Sequence, residues 1–217
     1  MRERLKNIFY STKFTIILGL VIVPAISFFF ITLSEESPLY TSISRIAWIH
    51  GRWFATFVWA VIIMTSIVWL TYRMIVISPL SEKQKKFFGL FQFINICLVF
   101  IGCLIFPAKS DLESIKFMNY IHDYLTIAAW AMYGIGLIIY SFILRKKDKF
   151  LGFLGLGIMS FIVFSAAFFI SHVIDPSSYV GASAVSEVYI INSLFIYLVV
   201  MYIAEDFSNK LVTKDPN

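Results

Sequence analysis

A chain of 217 residues that is 59% hydrophobic and only 14% charged, with a mean hydropathy of +0.84, carries too little polar surface for a soluble domain of its size. The net charge of +5 comes from Lys and Arg that flank apolar runs, with no basic patch interleaved with aromatics elsewhere. Composition therefore gives no sign of nucleic-acid binding and points to an all-α integral membrane protein.

Six apolar stretches, roughly 14–33, 47–72, 87–106, 118–144, 150–174 and 184–204, are long enough to cross a bilayer as helices, which satisfy their own backbone in lipid. The first follows a basic start (Arg2, Arg4, Lys6) without a convincing cleavage site and reads as a retained helix. The second opens Trp48-Ile49-His50-Gly51-Arg52-Trp53, placing Arg52 just inside an apolar run, where a charge is costly and needs a partner, a headgroup or water. The third carries Cys97 and Cys103. Six residues apart on a helix, they lie about 9 Å apart along the axis and on different faces, so they cannot bridge each other.

The fourth stretch begins Asn119-Tyr120-Ile121-His122-Asp123-Tyr124. Neighbouring helical residues point about 100° apart, so His122 and Asp123 cannot aim at one point, and an acid at a helix start also suits the dipole. The fifth ends Ile170-Ser171-His172-Val173-Ile174-Asp175-Pro176, where the i, i+3 spacing puts His172 and Asp175 on one face. The last opens near Glu187, for which Arg52 is the natural counter-charge; Asn95 and Asn192 lie deeper and read as packing contacts between helices.

Orientation follows from the positive charges. The N-terminal tail, the second-to-third and fourth-to-fifth connections and the C-terminal tail hold 14 of the 18 Lys and Arg against six acids, a net of +8. The other side holds four against seven acids, a net of −3. Six helices in one domain over 1–217, with both termini cytoplasmic, fit this distribution. The expected location is the cytoplasmic membrane of a bacterium.

The three histidines all fall on the acidic side, each 23 residues from a basic residue at the other end of its segment: Arg73 to His50, Arg145 to His122, Lys149 to His172. At ~1.5 Å per residue that is roughly 34 Å, one bilayer core and part of a headgroup layer. Three imidazoles at one depth admit three chemistries. In the first, a lipid-sensing or membrane-organising protein uses an outward-facing pocket for a lipid headgroup or metal, with Arg52, Asp123 and Glu187 as ligand-binding residues. In the second, His50, His122 and His172 hold zinc, Asp175 orients a ligand or acts as base, and Arg52 grips a lipid phosphate, making a zinc-dependent lipid hydrolase. No HxxxH or HExxH pair is present, so those ligands would have to converge from separate helices. In the third, two of the histidines ligate haem, although the second pair expected of a transmembrane electron carrier is missing. The first reading leads; the expected partners are membrane lipids.

The order of features also resembles the DRAM-type family of six-helix membrane proteins, which includes autophagy modulators and a GPI-anchor-remodelling factor. The similar parts are Pro38-Leu39-Tyr40-Thr41-Ser42-Ile43-Ser44, Phe106-Pro107, His122-Asp123, Glu187 and the exit Ala204-Glu205-Asp206-Phe207. His50 and Arg52 have no counterpart in that pattern. The resemblance implies a lipid-linked membrane role.

Overall fold

A computed structural model of the chain describes residues 11–38, 41–106, 116–173 and 183–214. The described residues are helical, without strands: α1 Thr12–Ile31, α2 Ile43–Trp48, α3 Trp53–Ile77, α4 Glu82–Ile105, α5 Lys116–Arg145, α6 Lys149–Val173 and α7 Ala184–Lys214. Five helices are long and apolar enough to cross a membrane: α1, α3, α4, α5 over Tyr124–Arg145, and α7 over Ala184–Leu211. The apolar part described in α6 is Lys149–Ser165. Large apolar side chains such as Phe54, Phe87, Phe117, Phe150 and Phe164 stand exposed on the outside of the bundle. Water would penalise such a surface, whereas hydrocarbon favours it.

The helix starts are set by short polar side chains that accept orphan backbone N–H groups. Ser11 Oγ accepts from Phe14 N, Ser42 Oγ from Arg45 N, and Ser183 Oγ from Ser186 N. Ser81 and Gln84 form a reciprocal capping box on α4. Asp148 Oδ1 accepts from Leu151 N at 3.1 Å, starting α6. Within α1 the turn Leu18–Ile22 widens to a π-helix just before Pro24. The proline lacks an N–H and its ring crowds the preceding turn, which a wider turn relieves.

Helices α3 to α7 each pack on the next, α7 returns against α3, and α1 seals the seam between those two. Tyr133, Tyr140, Tyr197, Phe195, Ile63, Ile67 and Leu70 fill the interior. Glycines allow close approaches between helices. A Cβ at Gly19 would stand 2.4 Å from Val199 Cγ2, and one at Gly152 would stand 2.3 Å from Arg145 Cα. The bundle has a basic end, with residues 78–86, 145–149 and 208–214, and an acidic end, with residues 32–52 and 183–187.

Two stretches differ from the sequence reading. The expected helix over 47–72 is broken: α2 stops at Trp48, Gly51 adopts φ 66°, and α3 begins at Trp53 and runs on to Ile77. A positive φ suits glycine and ends the helical path, so His50 and Arg52 sit in a turn. The last helix continues past 204 to Lys214, so Glu205 and Asp206 belong to the bundle rather than to an exit tail.

Candidate functional site

At the acidic end, a charged collar ties the α1–α3 connection together. His50 is nearly buried; its Nδ1 accepts from Glu35 N at 3.3 Å and its Nε2 lies 3.9 Å from Glu36 Oε1. Arg45 reaches the same Glu36 carboxylate at 3.7 Å. Arg52 pairs with Glu35 at 3.9 Å and is 52% exposed. Beside it, Trp53 lies edge-on to Trp48 and stacks on Phe57. The expected Arg52–Glu187 pair is not formed. Glu187 Oε2 instead accepts from Ile43 N at 2.7 Å, putting an acid on the first turn of α2. Ala184 N and Val185 N donate to the carbonyls of Thr41 and Pro38, so the start of α7 docks on that segment.

His122 is buried in the second turn of α5, its Nδ1 2.9 Å from the Phe106 carbonyl. Trp53 Nε1 donates to Leu104 O at 3.3 Å. Both side chains therefore pin the end of α4 to its neighbours. Asp175 lies outside the described residues, as do the side chains of His172 and Asp123. Among the described residues no three His, Cys, Asp or Glu cluster as a metal site would require. Zinc or haem on His50 would require the Nδ1 acceptor to leave the Glu35 amide, or Nε2 to turn from Glu36 to the ion. Cys97 and Cys103 are free thiols, the latter 3.8 Å from Thr126 Oγ1.

Among the described residues, a second concentration of buried polar chemistry lies at the other end, in side chains to which the sequence reading gave no site role. Arg73 was counted there as a flanking charge, yet it is buried, donates to the Tyr202 hydroxyl and lies over the rings of Tyr202 and Trp69. Glu205 is fully buried, and its Oε1 accepts from Tyr140 OH at 2.6 Å. Ser141 Oγ meets Tyr197 OH at 2.8 Å, and Thr71 Oγ1 meets Tyr133 OH at 2.8 Å. Gln92 Nε2 donates to Tyr133 O at 3.0 Å, across the face of α5 opened by Gly136. One signal was available: Tyr133 and Tyr140 are seven residues apart, on one helical face, and aromatic hydroxyls inside apolar helices need partners.

Between α3 and α4 an apolar furrow opens from this basic end. Its cavity of about 490 Å³ is lined by Val68, Tyr72, Ile75, Gly89, Phe93 and Ile96, with Glu82, Lys85 and Lys86 at the mouth. A second hollow of about 450 Å³ continues it along Phe100 and Ile101, sharing Val68, Phe93 and Ile96. Lys85 Nζ donates to Val76 O at 2.9 Å and lies 3.3 Å from Glu82. Lys86 is exposed. An open apolar trough ending in cations can hold an acyl chain beneath an anionic headgroup.

No family model, curated protein or solved structure matches this chain.

Proposed function

We propose that the chain is a lipid-binding, membrane-organising protein of six transmembrane helices, both termini cytoplasmic, akin in layout to the DRAM-type proteins. Its lipid site on this reading is the α3–α4 furrow, with Arg52 at the opposite face as the exposed contact for headgroups of the outer leaflet. The furrow is the observation that carries the reading. From Lys86 to Ile96 is ten residues, about 15 Å of helix, which matches half of a ~30 Å hydrocarbon core. A furrow of that depth accommodates one leaflet's acyl chain. Its volume of about 490 Å³ lies within the roughly 300–1,000 Å³ of small-molecule sites. Two lysines against one glutamate at the mouth favour an anionic headgroup, each cation near the surface contributing about 1 kcal/mol.

Gly89 supplies the test. A Cβ there meets nothing within 4 Å and Gly89 lines the trough, so Gly89→Leu is placed to fill it, and it improves helix propensity by up to ~1 kcal/mol. The full chain is reconstituted in mixed phosphatidylcholine and phosphatidylglycerol nanodiscs, and the lipid it retains is weighed by native mass spectrometry. Wild type is expected to enrich phosphatidylglycerol over the bulk mixture. Lys85→Gln/Lys86→Gln should lose the enrichment, and Gly89→Leu should lose the retained lipid while remaining folded. Retention at the bulk ratio, unchanged in Gly89→Leu, would refute the reading.

A further inference from the structure

An acid sealed inside a membrane bundle is expensive unless something neutralises it. Glu205 has no exposed surface. Its Oε1 takes the Tyr140 hydroxyl at 2.6 Å, and its Oε2, also buried, has no hydrogen-bond partner among the described residues.

Among the described residues, the groups packed around it supply no direct counter-ion. From α5 come the neutral phenol of Tyr140 and, one residue on, the Ser141 hydroxyl, which is taken up by Tyr197. On α7 itself, Tyr197 and Tyr202 are neutral phenols, and the Asp206 carboxylate pairs with Lys210 at 2.6 Å. From α3, Arg73 is committed to Tyr202 and to two aromatic rings. From α4, the Lys85 ammonium is held by the Val76 carbonyl and by Glu82. At the α5–α6 turn, Asp148 is engaged by Leu151 N and by Ser208. From α1, Thr12 reaches Asp206 and leaves Glu205 untouched. An ionised carboxylate here would hold one neutral hydrogen bond and leave an anionic oxygen bare, an arrangement native interiors avoid.

We propose that Glu205 is a proton-binding site: the carboxyl carries a proton inside the bundle, oriented by Tyr140, and exchanges it with the aqueous phase at the basic end. The ligand is a proton, and its transfer adds H⁺ to one carboxylate oxygen without any redox partner. Neither Glu205 nor Tyr140 lines the lipid furrow, and the proposal does not rest on that reading.

The test is infrared difference spectroscopy of the full chain in lipid nanodiscs, prepared with ¹³C-carboxyl glutamate to separate Glu from Asp. At neutral pH, wild type should show a protonated glutamic-acid carbonyl band that shifts in D₂O and is missing from Glu205→Gln. Tyr140→Phe should keep the band but move its frequency, which marks Tyr140 as a positioning residue rather than packing alone. Raising the pH should convert the band reversibly to carboxylate. Glu205→Gln, which mimics the protonated form, should fold as wild type does. The proposal is overturned if wild type shows only carboxylate at neutral pH, or if added sodium abolishes the protonated band, since the occupant would then be a metal cation. It is equally overturned if Glu205→Gln, folded or not, is much less stable than wild type at neutral pH.

Discussion

Among the described glycines, Gly152 has the closest backbone neighbour, and it sets up a comparison within one helix. A Cβ at Gly152 would lie 2.3 Å from Arg145 Cα and 2.4 Å from Arg145 N, at the three-residue turn joining α5 to α6. Carbon atoms rest about 3.5–4.0 Å apart, so Gly152→Ala requires the helices to part by roughly 1.2–1.7 Å. The obstacle is backbone, with no flexible side chain to swing aside, so the cost belongs at the upper end of the 1–3 kcal/mol typical of overpacking. Replacing glycine in a helix returns at most ~1 kcal/mol, leaving a net loss of about 2 kcal/mol. Gly157, five residues on, is exposed, and a Cβ there meets nothing within 4 Å. Gly157→Ala keeps the propensity gain alone, so the two variants should differ by about 3 kcal/mol. At 2–4 °C per kcal/mol for a chain of this size, that separates their melting temperatures by roughly 6–12 °C. Thermal unfolding of the two proteins in one detergent, followed by size-exclusion recovery, reads the difference. Equal melting of both variants, or a higher Tm for Gly152→Ala, would refute the close packing of α5 on α6.

Two further substitutions probe the two ends of the bundle. Arg73→Met keeps the stem but removes the donor to Tyr202 and the cation over its ring; the loss should be about 2–4 kcal/mol in thermal unfolding, with Arg73→Lys recovering part of it, and a change under ~0.5 kcal/mol would contradict a structural role. Glu187→Ala removes the carboxylate that accepts from Ile43 N, so the Ile43 amide should exchange with deuterium about 10- to 100-fold faster while the α4–α5 amides are unaffected; uniform exchange across the chain would show that Glu187 supports the whole fold instead of fastening α2.

Much of the architecture was legible because lipid imposes a simple code. A run of some twenty apolar residues reads as a crossing helix, and α1, α3, α4, α5 and α7 are such helices. The break before α3 was missed because His50 and Arg52 were read as polar side chains on one continuous helix rather than as a turn. Trp48, Ile49 and Trp53 continue the hydropathy of the helix, and only Gly51, with its positive φ, marks the turn. The extension of α7 was missed for the opposite reason. Glu205 and Asp206 look like the start of a polar tail, yet Glu205 is fully buried against Tyr140 while Asp206 turns outward to Lys210. Hydropathy averages two adjacent acids; a helix sends them about 100° apart, one into the bundle and one out of it.

The same geometry explains why the histidines drew the eye and the buried tyrosines did not. Histidine is rare here and conspicuous by its depth, but depth alone does not set direction. His50 turns to a loop amide and His122 to a carbonyl that ends α4, so each supplies a hydrogen bond that the acidic end needs to hold its connections. Tyrosines are common in the chain, and nothing in their number distinguishes Tyr133, Tyr140 and Tyr197 from those facing lipid. Beyond the seven-residue spacing of Tyr133 and Tyr140, their roles emerge as pairs, when α5 and α7 bring Tyr140 to Glu205 and Ser141 to Tyr197. Pairing between helices is a property of the folded bundle. An acid that the sequence leaves at the edge of an apolar run thus acquires its chemistry only from the helix that packs against it.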